Sequence, residues 1–350
     1  MLKTASYAAP AADKPLGPLT IERRNPGPRD VLIEILYAGV CHSDIHQARD
    51  EWGGSLFPMV PGHEIIGRVK QVGGQVTKLK VGDLAGVGCM VDSCRDCANC
   101  RQDHEQFCDK GAALTYNGTE MDRKTPTYGG YSTQIVVAEH FTLKVPEGLD
   151  PAGAAPLLCA GITTYSPLRQ FNCKKGDRVA VAGLAGLGHM AIKLAAAMGA
   201  EVTMLSTSPS KEADARRLGA HGFALTKDEA TFRKLANRFD LIIDTISATH
   251  DYNKYLGLVR PYGAMVLVGA PPEATPVHAF SLIMGNRRLA GSNIGGIRET
   301  QEMLDFCAQH KIVSDIEIIP IQKINEAYER MIRNDVRYRF VIDIATLKQA

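Results

Sequence analysis

The chain has 350 residues, 45% of them hydrophobic and 22% charged, with a formal net charge of +2. That length favours two domains over a single core, and a balanced charge with no polybasic run argues against a nucleic-acid or membrane-surface partner. No run approaches the roughly 18 apolar residues of a spanning helix, and the first seven residues, MLKTASY, hold no apolar core ahead of a small-residue cleavage site. A cytoplasmic protein is therefore expected.

Up to about residue 150 the sequence is rich in Gly, Pro and short alternating runs. Residues 30–35, 65–72, 82–87 and 131–137 read as strands bounded by turn residues. Many short strands with few helices predict a barrel-like β domain. Within it, Pro61-Gly62-His63-Glu64 marks a turn able to present an imidazole. Taken alone, that turn reads more readily as a capped loop with an ordinary polar His than as a site. With Cys41 and Cys159 it offers one imidazole and two thiolates, three ligands that leave the fourth corner of a zinc tetrahedron open. That is the arrangement of a catalytic zinc.

Cys94, Cys97, Cys100 and Cys108 follow the spacing C-x2-C-x2-C-x7-C in a turn-prone, charged stretch. Four thiolates can close a tetrahedron around one zinc and leave no position for water or substrate, which predicts a structural metal. An iron–sulfur centre is the other metal option; the lack of a following Pro favours zinc. Nine cysteines in a cytosolic chain point to metal or catalysis rather than to disulfides.

From about residue 152 the pattern becomes alternating strand and helix. Strands are predicted at 177–182, 201–205, 239–244 and 264–269, with helices over 186–198 and 213–218, and this alternation implies a doubly wound parallel sheet. The loop Gly183-Leu184-Ala185-Gly186-Leu187-Gly188 lies between the first strand and its helix, in the order of a dinucleotide fingerprint whose middle glycine is replaced by Ala185. A methyl group there narrows the approach to a pyrophosphate. The second strand ends in Ser206-Thr207-Ser208-Pro209-Ser210-Lys211, where a carboxylate would serve an unphosphorylated ribose. Hydroxyls and a Lys suit a 2′-phosphate, so NADP(H) is expected over NAD(H); an ordinary Ser/Thr helix cap is also compatible. Beyond residue 290 follow a helix (297–309), a strand (316–319), a helix (325–334) and a closing strand (339–342).

These residues, together with Gly39-Val40-Cys41-His42-Ser43-Asp44 and Cys159-Ala160-Gly161, resemble the zinc-dependent medium-chain alcohol dehydrogenases, and among them the cinnamyl-alcohol-dehydrogenase branch with its bacterial broad-range aldehyde reductases. The resemblance runs nearly end to end. It implies an α/β architecture: a GroES-like β-barrel catalytic domain (1–152 and 291–350, with the metal lobe at 89–110) and a Rossmann domain (153–290). It also implies a catalytic zinc on Cys41, His63 and Cys159, with Glu64 beside it or as an occasional fourth ligand, and a second, structural zinc. Asp44 would orient the zinc-bound His63, Ser43 contact the substrate alcohol, and His46 end the proton relay. His42, Thr163, Val268, Gly269, Ala270, Ser292, Asn293, Ile294 and Arg339 would meet the cofactor, and Trp52, the lone Trp, would line the pocket.

The activity so implied is reversible hydride transfer between NADP(H) and primary alcohols or aldehydes, including aromatic ones, in a homodimer. Two rival classes are weighed beside it. A zinc-independent quinone or enone reductase would lack both cysteine sets, and a non-catalytic scaffold would have no use for the full ligand and relay set.

Overall fold

The computed structural model describes residues 1–349. The chain divides into two compact units: Met1–Cys159 with the residues from Gly295 onward, and Ala160–Ile294.

The first unit is built around the ten-residue strand Asp30–Gly39, whose inward positions alternate along most of its length. It pairs antiparallel with Ile65–Val72 on one side. On the other side it is shared, with Gln134–Ala138 opposite its first half and Arg339–Asp343 opposite its last three residues. The seven-stranded sheet continues through Leu84–Val87 to Leu143–Lys144 at one edge and ends with Ile316–Pro320 at the other. One long strand with several partners is how a barrel-like sheet turns a corner. A separate antiparallel pair joins Leu2–Ala8 to Gly17–Arg23.

The second unit is a six-stranded sheet in which every pairing is parallel. Its order is Gly222–Leu225, Glu201–Ser206, Arg178–Ala182, Phe239–Asp244, Val259–Leu267, Arg288–Gly291. Counted along the chain this is 3-2-1-4-5-6, with the reversal between Arg178–Ala182 and Phe239–Asp244. The carboxyl ends of those two strands flank the crevice where such sheets take ligands. The central strands are buried at successive positions rather than at alternate ones, through Val179–Ala182 and through Leu241–Asp244. Phe239, Ile242, Leu256, Leu258, Val259 and Met265 are fully buried in one cluster. Each large apolar side chain buried this way contributes about 1.5–3 kcal/mol of transfer free energy.

Candidate metal centres and nucleotide loop

Strand Asp30–Gly39 ends two residues before Cys41, which caps the short helix His42–Ala48. Asp44 lies in the first turn of that helix, is fully buried, and accepts four hydrogen bonds. Its Oδ2 takes the Cys41 amide at 2.9 Å and the Tyr131 hydroxyl at 3.2 Å. Its Oδ1 takes the Gly62 amide at 3.2 Å and faces His63 Nδ1 at 3.1 Å. One carboxylate thus ties the Cys41 helix to the His63 turn. With Nδ1 held as a donor, His63 keeps Nε2 free as a ligand.

Cys41 Sγ lies 3.9 Å from Cys159 Sγ. Ligand atoms of Cys41, His63, Glu64 and Cys159 all fall within 4.8 Å of one another. The two thiols behave as a pair. Cys159 donates to Cys41 and, with His63 and Arg339, holds it well below the ordinary thiol range, while the same contact pushes Cys159 well above it. Burial opposes a charge on His63, but Asp44 and Cys89 outweigh it and raise its pKa well above the usual value. Glu64 is also fully buried and pushed up to about 7, chiefly by burial, against the pull of Arg339. Its Oε1 is bound by the Arg339 guanidinium, and its Oε2 has no partner. Gly39 makes room for it: a Cβ there would lie 1.9 Å from Glu64 Oε2. Two soft sulfur donors, one oriented imidazole and an orphaned buried carboxylate oxygen fit a zinc ion.

The second donor set, Cys94, Cys97, Cys100 and Cys108, also gathers its ligand atoms within 4.8 Å. Backbone amides point at the sulfurs: Cys97 N to Cys94 Sγ at 3.3 Å, Cys94 N to Cys108 Sγ at 3.4 Å, and Cys100 N and Asp109 N to Cys97 Sγ at 3.5 Å each. The Asp96 and Cys97 amides bring Cys94 down to about 6, whereas burial pushes Cys100 up to about 12. A four-sulfur shell fed by amide donors fits a closed zinc site with no open position. Beside it, buried Glu105 accepts from the Ile297 amide at 3.1 Å and meets His140 Nε2 at 2.7 Å, anchoring the lobe's last turn.

His42, Ser43 and His46 share the helix that Cys41 caps. Ser43 Oγ is 3.7 Å from Cys41 Sγ. His46 Nδ1 meets Glu51 Oε2 at 2.5 Å, and its ring stacks on Trp52 with centroids 4.8 Å apart. Trp52 is 56% exposed, so it is not a core residue. His42 opens the helix and is exposed. Arg339 is 3% exposed and spends its charge on Glu64.

In the second unit the glycine loop sits at the switch point. Gly183 has φ +91°, and a Cβ on Gly188 would lie 1.9 Å from the Gly183 carbonyl oxygen, so the helix Gly188–Ala197 can approach the strand this closely only with glycine. Ala185 has no such strain; its carbonyl accepts the His189 amide at 3.1 Å. Lys211 reaches back to the Leu184 carbonyl at 2.7 Å, and Ser206 Oγ takes the Ser208 amide at 3.2 Å. Thr207 follows Ser206 at the strand's end and is exposed. Thr163 lies in helix Ala160–Gln170; Val268, Gly269 and Ala270 follow the fifth strand, and Ser292, Asn293 and Ile294 follow the sixth.

Several residues of these sites have no signature in the sequence. Glu51 sits five residues after His46 in a loop, and Tyr131 is 87 positions from the Asp44 it contacts. Thr245, whose hydroxyl donates to the Ala182 and Gly183 carbonyls at 2.8 and 3.0 Å, belongs to a loop with no glycine motif.

Residues 27–147 match the model of the alcohol dehydrogenase GroES-like domain, and residues 186–309 that of the zinc-binding dehydrogenases. The chain is 57% identical to a probable formaldehyde dehydrogenase of Bacillus subtilis over 94% of each chain. It is 56% identical to the NADP-dependent alcohol dehydrogenase C 1 of Mycolicibacterium smegmatis, over 99% of this chain and all of that one. A cinnamyl alcohol dehydrogenase of Sorghum bicolor has the same fold, with a TM-score of 0.95 and 45% identity over 98% of both chains. The GroES-like and Rossmann-type architecture expected from the sequence is therefore the observed one, and the chain belongs to the zinc-dependent medium-chain alcohol dehydrogenases, in their cinnamyl-alcohol-dehydrogenase branch.

Proposed function

We propose that this protein is an NADP(H)-dependent zinc alcohol dehydrogenase that interconverts primary alcohols and aldehydes, aromatic ones included. The observation that carries the reading is the buried convergence of Cys41, His63 and Cys159, with Asp44 fixing the His63 tautomer. The names of the relatives, an NADP-dependent alcohol dehydrogenase and a cinnamyl alcohol dehydrogenase among them, support the cofactor and the substrate class.

In this reading Cys41, His63 and Cys159 hold the catalytic zinc and Cys94, Cys97, Cys100 and Cys108 the structural one. A bound zinc supplies Lewis acidity toward a carbonyl oxygen and acidifies an alcohol, and NADP(H) supplies or accepts the hydride. The chain's own residues position and move protons. The Ser43 hydroxyl, beside Cys41, exchanges the substrate proton, and His46 passes it toward solvent. Glu51, holding His46 Nδ1, leaves the other ring nitrogen to face the relay. Arg339 neutralises Glu64, so this carboxylate adds no uncompensated charge beside the thiolates. The Ala160–Ile294 unit serves as the nucleotide domain. Its loop 183–188 and helix N-terminus take the pyrophosphate, Ser206, Thr207, Ser208 and Lys211 take the 2′-phosphate, and Thr163, residues 268–270 and residues 292–294 take the nicotinamide half. Trp52 forms one wall of the substrate pocket.

A homodimer is part of the same proposal. Phe280, Ile283 and Met284 are 61%, 61% and 76% exposed beside the edge strand Arg288–Gly291, an apolar patch next to an unpaired sheet edge. Among the described residues all nine cysteines are free, which supports a reducing cytoplasm, and no helix is long and apolar enough to cross a membrane.

The test joins metal analysis with kcat/KM for cinnamaldehyde, benzaldehyde and short aliphatic aldehydes, each with NADPH and NADH. Two zinc per chain and a clear NADPH preference are expected. A preference for NADH would overturn the assignment of the Ser206–Lys211 segment, and turnover in zinc-free protein would overturn the whole reading.

A further inference from the structure

Asp244 ends the fourth strand of the parallel sheet, at the switch point, and is 1% exposed. Its backbone carbonyl accepts the Val268 and Gly269 amides at 2.9 and 3.0 Å. Its Oδ1 accepts the Ile246 amide at 3.0 Å, and its Oδ2 meets His250 Nε2 at 2.8 Å. The next residue, Thr245, bonds the Ala182 and Gly183 carbonyls through its hydroxyl. Ile246 is pressed against the other side: a Cβ on Gly269 would lie 2.4 Å from its carbonyl oxygen. The segment 245–250 is therefore wedged between the glycine loop and the 268–270 loop, and its far end is closed by His250.

Both ring nitrogens of His250 face acceptors, Nε2 the Asp244 carboxylate and Nδ1 the Ala248 carbonyl at 2.8 Å. A neutral imidazole has one N–H and cannot serve both; only the imidazolium can. Burial opposes that charge, but the Asp244 contact, with Ala248 and Asp251, outweighs it and raises the His250 pKa. The other groups facing the ring are Tyr252 and Tyr255, edge-on at centroid distances of 4.9 and 5.2 Å. Burial lifts both phenols above their ordinary range.

We propose that His250 is a positioning residue: its imidazolium clasps the 245–250 segment to Asp244 and thereby holds the two cofactor-facing loops in register, so that losing its proton weakens NADP(H) binding. Nothing in the zinc chemistry requires this pair, which lies wholly within the nucleotide unit. The inference rests on the reading of that unit as the cofactor site. Cofactor binding and protonation of His250 are linked, so affinity is greatest below the His250 pKa and declines as pH rises through it. Deprotonation costs one of two charge-assisted bonds, which corresponds to about a tenfold loss of affinity.

The experiment is a fluorescence titration of the zinc-loaded enzyme with NADPH from pH 7 to pH 10, for the wild type, His250→Gln and His250→Ala. The glutamine keeps an N–H for Asp244 but does not titrate. The expected wild-type Kd rises about tenfold across the range, while His250→Gln is at least threefold flatter. His250→Ala should raise KM for NADPH about 3–10-fold at pH 7 with kcat within twofold. A His250→Gln profile parallel to the wild type overturns the proposal, as does a His250→Ala enzyme with unchanged KM. If the alanine variant does not fold, the glutamine profile alone decides. Absence of NADPH binding by the wild type at every pH would instead refute the cofactor assignment.

Discussion

Asp44→Asn is the sharpest probe of the catalytic centre, because the carboxylate it replaces has four donors and the amide can satisfy only some of them. Suppose the new NH2 faces Gly62 and His63. The Gly62 amide then loses its acceptor, and His63 Nδ1 must become an acceptor, which moves the ring proton to Nε2 and disables the nitrogen left for the metal. Suppose instead that it faces Cys41 and Tyr131. The Tyr131 hydroxyl can reverse and accept, but the Cys41 amide is orphaned at the cap that positions its thiolate. Each stranded N–H costs about 1–3 kcal/mol in a site this buried. Removing a partner that orients a ligand typically weakens metal binding or activity 10–100-fold, about 1.4–2.8 kcal/mol. The assay is zinc content after dialysis against a moderate chelator, read with kcat/KM and NADPH affinity on the same preparation. One zinc per chain should be lost, turnover should fall at least tenfold, and NADPH affinity should hold. Two retained zinc ions with turnover within threefold of wild type would show that Asp44 does not set the His63 tautomer.

Other perturbations separate the two metal sites and the two units. Cys97→Ser removes a thiolate and the acceptor of the Cys100 and Asp109 amides, so it should release the structural zinc and lower Tm by several degrees. The activity remaining per catalytic zinc should stay near that of the wild type before melting. Gly188→Ala places a methyl 1.9 Å from the Gly183 carbonyl oxygen; NADPH affinity should fall at least tenfold and stability by about 1–3 kcal/mol, measured by titration and calorimetry. For Glu105, burial favours the protonated form, but His140 and the Ile297 amide outweigh it and hold the pKa below 4.5. A lowered folded pKa gives stability that is complete above the unfolded value and lost as pH falls through the folded one. The Tm gap between wild type and Glu105→Gln should therefore be largest above pH 5 and close toward pH 3. A constant gap would mean that the ionised form contributes nothing.

What the sequence made legible depended on how local each signal is. Arg178–Ala182 and Phe239–Asp244 stand out because a strand buried on both faces carries consecutive apolar residues, Val179–Ala182 and Leu241–Ile243 here. The sequence pattern of the central strand of the first unit shows alternation only to Ile35, although the strand runs to Gly39. A register shift against Ile65–Val72, between Ile35 and Tyr37, breaks its alternation. The pair Leu2–Ala8 and Gly17–Arg23 lacks a strand signature because its inward side includes Thr4 and Ser6, polar residues that nonetheless are 1% exposed. The fifth strand runs from Val259 to Leu267, but Pro261 and Gly263 concealed its first half, where it pairs irregularly with its neighbour. Helix Ala160–Gln170 carries Pro167 in its interior and so lacked a helical signature.

The same distinction governs the sites. The four clustered cysteines span fifteen positions, so their spacing alone describes a tetrahedron. Cys41 and Cys159 are 118 positions apart and meet only because the first unit returns the chain to the end of its central strand. No periodicity in the sequence carries that pairing. Residues whose function is to hold other residues were the least visible: Glu51 behind His46, Tyr131 behind Asp44, and Thr245 behind the glycine loop. Each acts through a hydrogen bond whose partner is set by topology, and side chains of the same types serve as ordinary surface or core residues elsewhere in the chain. Ala185 illustrates the converse. As a departure from the glycine pattern it drew attention in the sequence, yet its backbone lies in an ordinary conformation and its carbonyl closes the first turn of the helix. The glycines that cannot be replaced are Gly183 and Gly188, because there the strand and helix backbones leave no volume for a methyl group.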